Sequence, residues 1–130
     1  MESQFKYLAA LLLLAPSLAL GQPAKTKVAV TSGCDSPDDR VGPTFVYSLK
    51  EAIRRSASFE LAPNGLSISI ACVNPAQGEG MAVAASLVVT GADNCGGVVV
   101  LRHEVLYIPV KQIDQTAINV LAEIDKLLDH

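Results

Sequence analysis

Four groups of side chains and one glycine-rich loop have residue types that could support chemistry. Asp35, Asp38 and Asp39 crowd one loop. Clustered carboxylates can hold a cation, but these lack EF-hand spacing and stand just ahead of a helical stripe. There, aspartates accept bonds from the free N–H groups of a first turn, so capping is expected and no metal site. His103 and Glu104 are neighbours on an extended run, so their side chains point to opposite faces. Plain alternation puts His103 with Val99, Leu101, Val105 and Tyr107, as a partly buried structural histidine and not a general base. Ser32, Ser67, Ser69 and Ser86 lack a G-x-S-x-G context and a histidine placed to activate them. Residues 91–97 are glycine-rich, but they lack the phosphate-cradling pattern and precede no helix, so they read as a hairpin tip. Cys34, Cys72 and Cys95 have no metal-ligand spacing. No catalytic residue, cofactor or metal is expected.

The elements that position these residues follow from periodicity. Residues 27–31 form a short apolar strand, and 32–40 a loop rich in turn formers. Val41, Phe45, Leu49 and Ile53 recur every four residues, with Val46 and Ala52 beside them: one face of a helix. Pro43 near its start and Arg54 and Arg55 near its end suit the helix dipole and the proline rule. Residues 59–62 are a brief extended piece, and Pro63, Asn64 and Gly65 mark a turn. From Leu66 the period becomes two, with Leu66, Ile68, Ile70 and Cys72 on one side. A loop at 74–80 leads to a strand at 81–90, with Val83, Ala85, Leu87 and Val89 on its apolar face, and a third strand covers 98–108. Ile113, Ala117, Val120, Leu121, Ile124, Leu127 and Leu128 form a second helical stripe, with Asp114 as its expected cap. The order β-α-(β)-β-β-β-α predicts an α/β (α+β) two-layer sandwich, a mixed sheet of four to five strands with two helices on one face.

The sheet face away from the helices is the candidate binding surface. Unbroken alternation gives it Ser67 and Ser69, then Ala84, Ser86 and Val88, then Val100, Arg102 and Glu104. It is low in charge and rich in small side chains, which suits docking of a partner or of a second copy.

Residues 1–21 have the grammar of a secretory signal peptide: Lys6, an apolar run at 8–15, then Pro16 and small residues before a cut ahead of Gln22. The apolar run is too short to span a bilayer. Gln22 stands where a lipoprotein would need cysteine, so the expected product is one domain, 22–130, periplasmic or secreted, with no membrane anchor after cleavage. The net charge of −3 is unchanged by losing Glu2 and Lys6, and makes nucleic acid a poor partner. Three cysteines in an oxidising compartment predict one disulfide and one free thiol. Two pairings stay open: Cys34 with Cys95 if 63–65 close a hairpin, or Cys34 with Cys72 if 59–62 are only a bend.

The early strand, the helix ending in Glu51-Ala52-Ile53-Arg54-Arg55-Ser56-Ala57-Ser58-Phe59-Glu60-Leu61, the three-strand meander and the closing amphipathic helix resemble the N-terminal domain of TolB-type periplasmic proteins. More loosely, they resemble the curli-secretion and penicillin-binding-protein-activator lipoprotein domains. The resemblance covers 27–129 and carries no signature residue. Those domains usually have a second helix where this chain has only Pro63-Asn64-Gly65. It implies a protein-interaction module of the bacterial envelope without enzymatic activity, and it favours the Cys34–Cys72 pairing with Cys95 free. The partner is then another envelope or secreted protein, or the chain itself. A small exported thiol- or metal-dependent hydrolase and a self-assembling secreted accessory protein are the alternatives.

Overall fold

The computed structural model describes residues 24–36, 39–73 and 82–128. The signal peptide expected at 1–21, the aspartate at 38 and the loop at 74–80 lie outside these residues. The elements are β1 (Thr26–Gly33), α1 (Val41–Arg55), β2 (Phe59–Leu61), β3 (Leu66–Val73), β4 (Ala82–Ala92), β5 (Val98–Pro109) and, after a single 3-10 turn, α2 (Ile113–Leu128). They form the expected two-layer α+β sandwich, with a five-stranded mixed sheet in the order β2-β1-β3-β4-β5.

The apolar periodicities account for the packing. From α1, Val41, Phe45, Val46, Leu49 and Ile53 are buried; from α2, Ile113, Ala117, Val120, Leu121 and Ile124. They close over Ile68, Ile70, Val83, Ala85, Leu87, Val89 and Ile108 on one sheet face, in a single core. Val28 and Phe59 complete that core at the β1–β2 side.

Two local features depart from the expected path. Both β2 and β3 run parallel to β1, on opposite sides of it, and both pair with Val28. Residues 62–65 are therefore neither a hairpin nor a simple bend: they carry the chain across β1. Gly65 makes this crossing possible. Its φ is +109°, and a Cβ there would meet the backbone carbonyl of Lys27, so only glycine fits without strain. The second departure is in the β4–β5 ladder. Its register shifts between Val89 and Thr90, where Val89 faces Arg102 but Thr90 faces Val100. Leu101 is the extra residue of a β-bulge.

The helix caps differ in part from expectation. Asp39 caps α1: its Oδ1 accepts the Gly42 N–H at 2.8 Å. Asp114 lies in the first turn of α2, but its Oδ1 accepts the Ser48 hydroxyl at 2.7 Å and so ties α2 to α1. The hairpin between β4 and β5 is organised by Asp93, whose Oδ1 accepts the N–H groups of Cys95 and Gly97, with Gly96 at φ +80°.

A candidate docking face on the open side of the sheet

Cross-strand register lays out the face away from the helices in rows. One row holds Ala29, Ser67, Thr90 and Val100 on β1, β3, β4 and β5. The next holds Thr31, Ser69, Val88 and His103; the next Gly33, Ala71, Ser86 and Val105; and the last Val73, Ala84 and Tyr107. In the first three rows the β1 and β3 ends carry small or hydroxyl side chains, whereas β5 carries bulk. The difference in height leaves a shallow trough of about 350 Å³ beside Thr31, Ser69, Ala71, Ser86 and Val88.

Of the residues expected on this face, Ser67, Ser69, Ala84, Ser86, Val88 and Val100 lie on it. Arg102 and Glu104 do not. A bulge adds one residue to one strand, and in a sheet of period two that moves every later side chain to the other face. Past Leu101, Arg102 and Glu104 therefore turn toward the helices, while His103, Val105 and Tyr107 take the open face. Arg102 Nη2 donates to Glu104 Oε2 at 2.7 Å, and its Nη1 stands 3.8 Å from Glu123 Oε2 of α2. The hydrogen bond donated to Glu104, opposed by partial desolvation and aided by the charges of Glu104 and Glu123, raises the Arg102 pKa above its ordinary value. These residues clamp β5 to α2 and take no part in the open face.

His103 is exposed and is not the partly buried histidine that plain alternation suggests. Its Nε2 is 3.3 Å from Ser86 Oγ. The carboxylate next in sequence, Glu104, is on the other face and engaged with Arg102, so it cannot orient the imidazole as a Ser-His-acid triad requires. Thr31 Oγ1 donates to Ser69 Oγ at 3.1 Å, a second polar contact in the row of His103.

Apolar exposure is concentrated here. Among the described residues, seven large apolar side chains are more than half exposed, and five of them lie on this face: Val73 (69%), Val98 (80%), Val100 (60%), Val105 (73%) and Tyr107 (68%). The other two, Tyr47 and Ile118, flank a groove of about 690 Å³ between α1 and α2. That groove is the larger hollow, but it is the seam of the helix pair. The Ser48–Asp114 bond bridges it, and Leu121 and Phe59 in its lining belong to the core. Its polar groups, Glu51, Arg55, Asp114 and Asp125, are of mixed sign.

The disulfide is Cys34–Cys72, with Cα atoms 4.8 Å apart. It joins the loop after β1 to the last turn of pairing in β3, because both strands run the same way. Cys95 is free and exposed in the β4–β5 hairpin. No group of cysteine, histidine and acidic side chains among the described residues has metal-binding geometry, and no described helix is long and apolar enough to cross a membrane.

No protein-family model and no curated protein sequence matches the chain. Among solved structures it is similar to a PelC variant dodecamer from Paraburkholderia phytofirmans. The two share 19% identity with a TM-score of 0.41, over 82% of this chain and 90% of that one.

Proposed function

We propose that this protein is a small exported protein-interaction module and that the open sheet face is its docking surface. The observation that carries the proposal is the grouping of five exposed large apolar side chains on one face, where Lys27 and Glu60 stand opposite each other at the β1–β2 edge. Exposed apolar groups scattered singly are ordinary; a contiguous patch marks an interaction site. The Cys34–Cys72 disulfide supports an oxidising compartment, as do the signal-like residues 1–21. The resemblance to TolB-type N-terminal domains supports an interaction role over a catalytic one.

The test uses Ala84→Arg and Ser69→Arg, each placing a charge in the middle of the face. Both residues are away from the core, so the variants keep the wild-type circular dichroism and melting profile. Crosslinking in intact cells then compares the chains attached to wild type and variants. Loss of the attached chains in both variants is the expected result. Folded variants that retain every attachment show that the face is not the docking surface. Sequencing of the exported form, expected to begin at Gln22, tests the compartment separately.

A further inference from the structure

We infer that the occupant of the open face is a second copy of the same chain, packed sheet against sheet about a two-fold axis along the strands. The inference rests on the docking face proposed above and names its partner. The row structure motivates it. A two-fold axis along the strands turns the β5 end of each row over the β1–β3 end of the same row in the other copy. His103 then lies over the hydroxyls of Thr31 and Ser69, and Val105 lies over Gly33 and Ala71. Val100 meets Ala29 and Ser67. These three rows are thus complementary to their own reverse: imidazole meets hydroxyl, and bulk meets a gap, while in the last row Tyr107 lies toward Val73. Aligned sandwiches pack with strand directions about 30° apart, which keeps these row partners in contact near the centre.

Area and charge agree with this occupant. The rows span four of the five strands of the sheet, β1 and β3 to β5. At about 4.8 Å between strands and about 3.3 Å per residue, an eight-residue strand length such as β3 gives a face of roughly 500 Å². Two copies therefore cover roughly 1,000 Å² in plane, about the smallest area at which a specific interface holds. The protein has a net charge of −3, so most pairings of its surface bring like charges together. The four rows contain no acidic side chain; Glu60, on the same face of β2, stands beside Lys27 at the sheet's edge, and the two-fold carries its copy to the opposite edge, so two copies meet across these rows without that repulsion.

The experiment uses the exported form, 22–130, with Cys95→Ser so that the added cysteines are the only thiols. Two single variants, Ala71→Cys and Val105→Cys, are prepared. Their positions are exposed, so neither change disturbs the core. A short bis-maleimide linker is added to each variant alone and to the mixture, alongside light scattering of wild type over a range of concentrations. The expected results are a dimer mass for wild type and a covalent dimer in the mixture well above that of either variant alone. The two-fold pairing brings 71 against 105, but keeps 105 far from 105. Val105→Arg should raise the dimer dissociation constant at least roughly thirtyfold, since it buries an unpaired charge. Wild type that stays monomeric at all concentrations overturns self-pairing but leaves the docking face standing, if Ala84→Arg still loses its attachments in cells. A dimer that persists in Ala84→Arg overturns the docking face itself. A larger ring-like species, or linking of Val105→Cys alone, overturns the two-fold arrangement.

Discussion

Replacing both Cys34 and Cys72 with alanine removes a crosslink whose effect can be worked from its position. The disulfide joins residues 38 apart. Closing a loop of that length in the unfolded chain removes about 13 cal/mol/K of entropy, or about 3.9 kcal/mol at 25 °C. A domain of about 100 residues has a melting entropy of roughly 0.2 kcal/mol/K, so the loss lowers Tm by about 15–20 °C. The native state adds to this. Cys34 is 3% exposed and belongs to the core, and the loop it anchors carries Asp39, the cap of α1. A Cβ on Gly42 would touch both the Asp39 carboxylate and Cys72 Sγ, so the disulfide, the cap and the helix start are one packed unit. The assay is thermal unfolding by far-UV circular dichroism of residues 22–130, with and without a thiol reductant, beside the double variant. Reduced wild type and the variant should melt together, well below oxidised wild type. Thiol titration of the unreduced, unfolded chain should find one thiol, Cys95. A Tm change below about 5 °C, or three titratable thiols, refutes the crosslink and the loop-entropy reasoning built on it.

Two further substitutions test the local devices that shape the fold. Gly65→Ala should destabilise the domain by about 2–3 kcal/mol in urea unfolding, because it combines a positive φ with collision against the Lys27 carbonyl; wild-type stability would show that 62–65 do not cross β1 as described. Asp39→Ala should cost about 1–2 kcal/mol by the same measurement, from loss of the buried bond to Gly42 N–H, with Asp39→Asn retaining most of it; equal losses for both variants would mean that the carboxylate does more than cap.

Most of the architecture was legible because the chain obeys simple periods where one face is buried. Leu66, Ile68 and Ile70, then Val83, Ala85, Leu87 and Val89, are buried at every second position, and Phe45, Leu49 and Ile53 at every fourth. Residues 62–65 were not legible as a crossing. A turn signal in sequence reports that the backbone changes direction, and says nothing of what lies beneath it. The candidate face was misassigned beyond one residue for a related reason. Val98, Val99, Val100 and Leu101 are apolar in succession, so alternation has no phase there and the extra residue leaves no mark. The run itself was the available signal, since four consecutive apolar residues on a strand with one solvated face cannot all be buried. The bulge in that run decides what the open face is. Without it, Arg102 and Glu104 would stand on the open side and His103, Val105 and Tyr107 against α2, where Glu123 would face no guanidinium. With it, the acid–base pair of β5 faces α2, and the open side of β5 keeps Val100, His103, Val105 and Tyr107. One inserted residue thus ties the sheet to α2 and gives the open side of β5 the side chains of the proposed docking face.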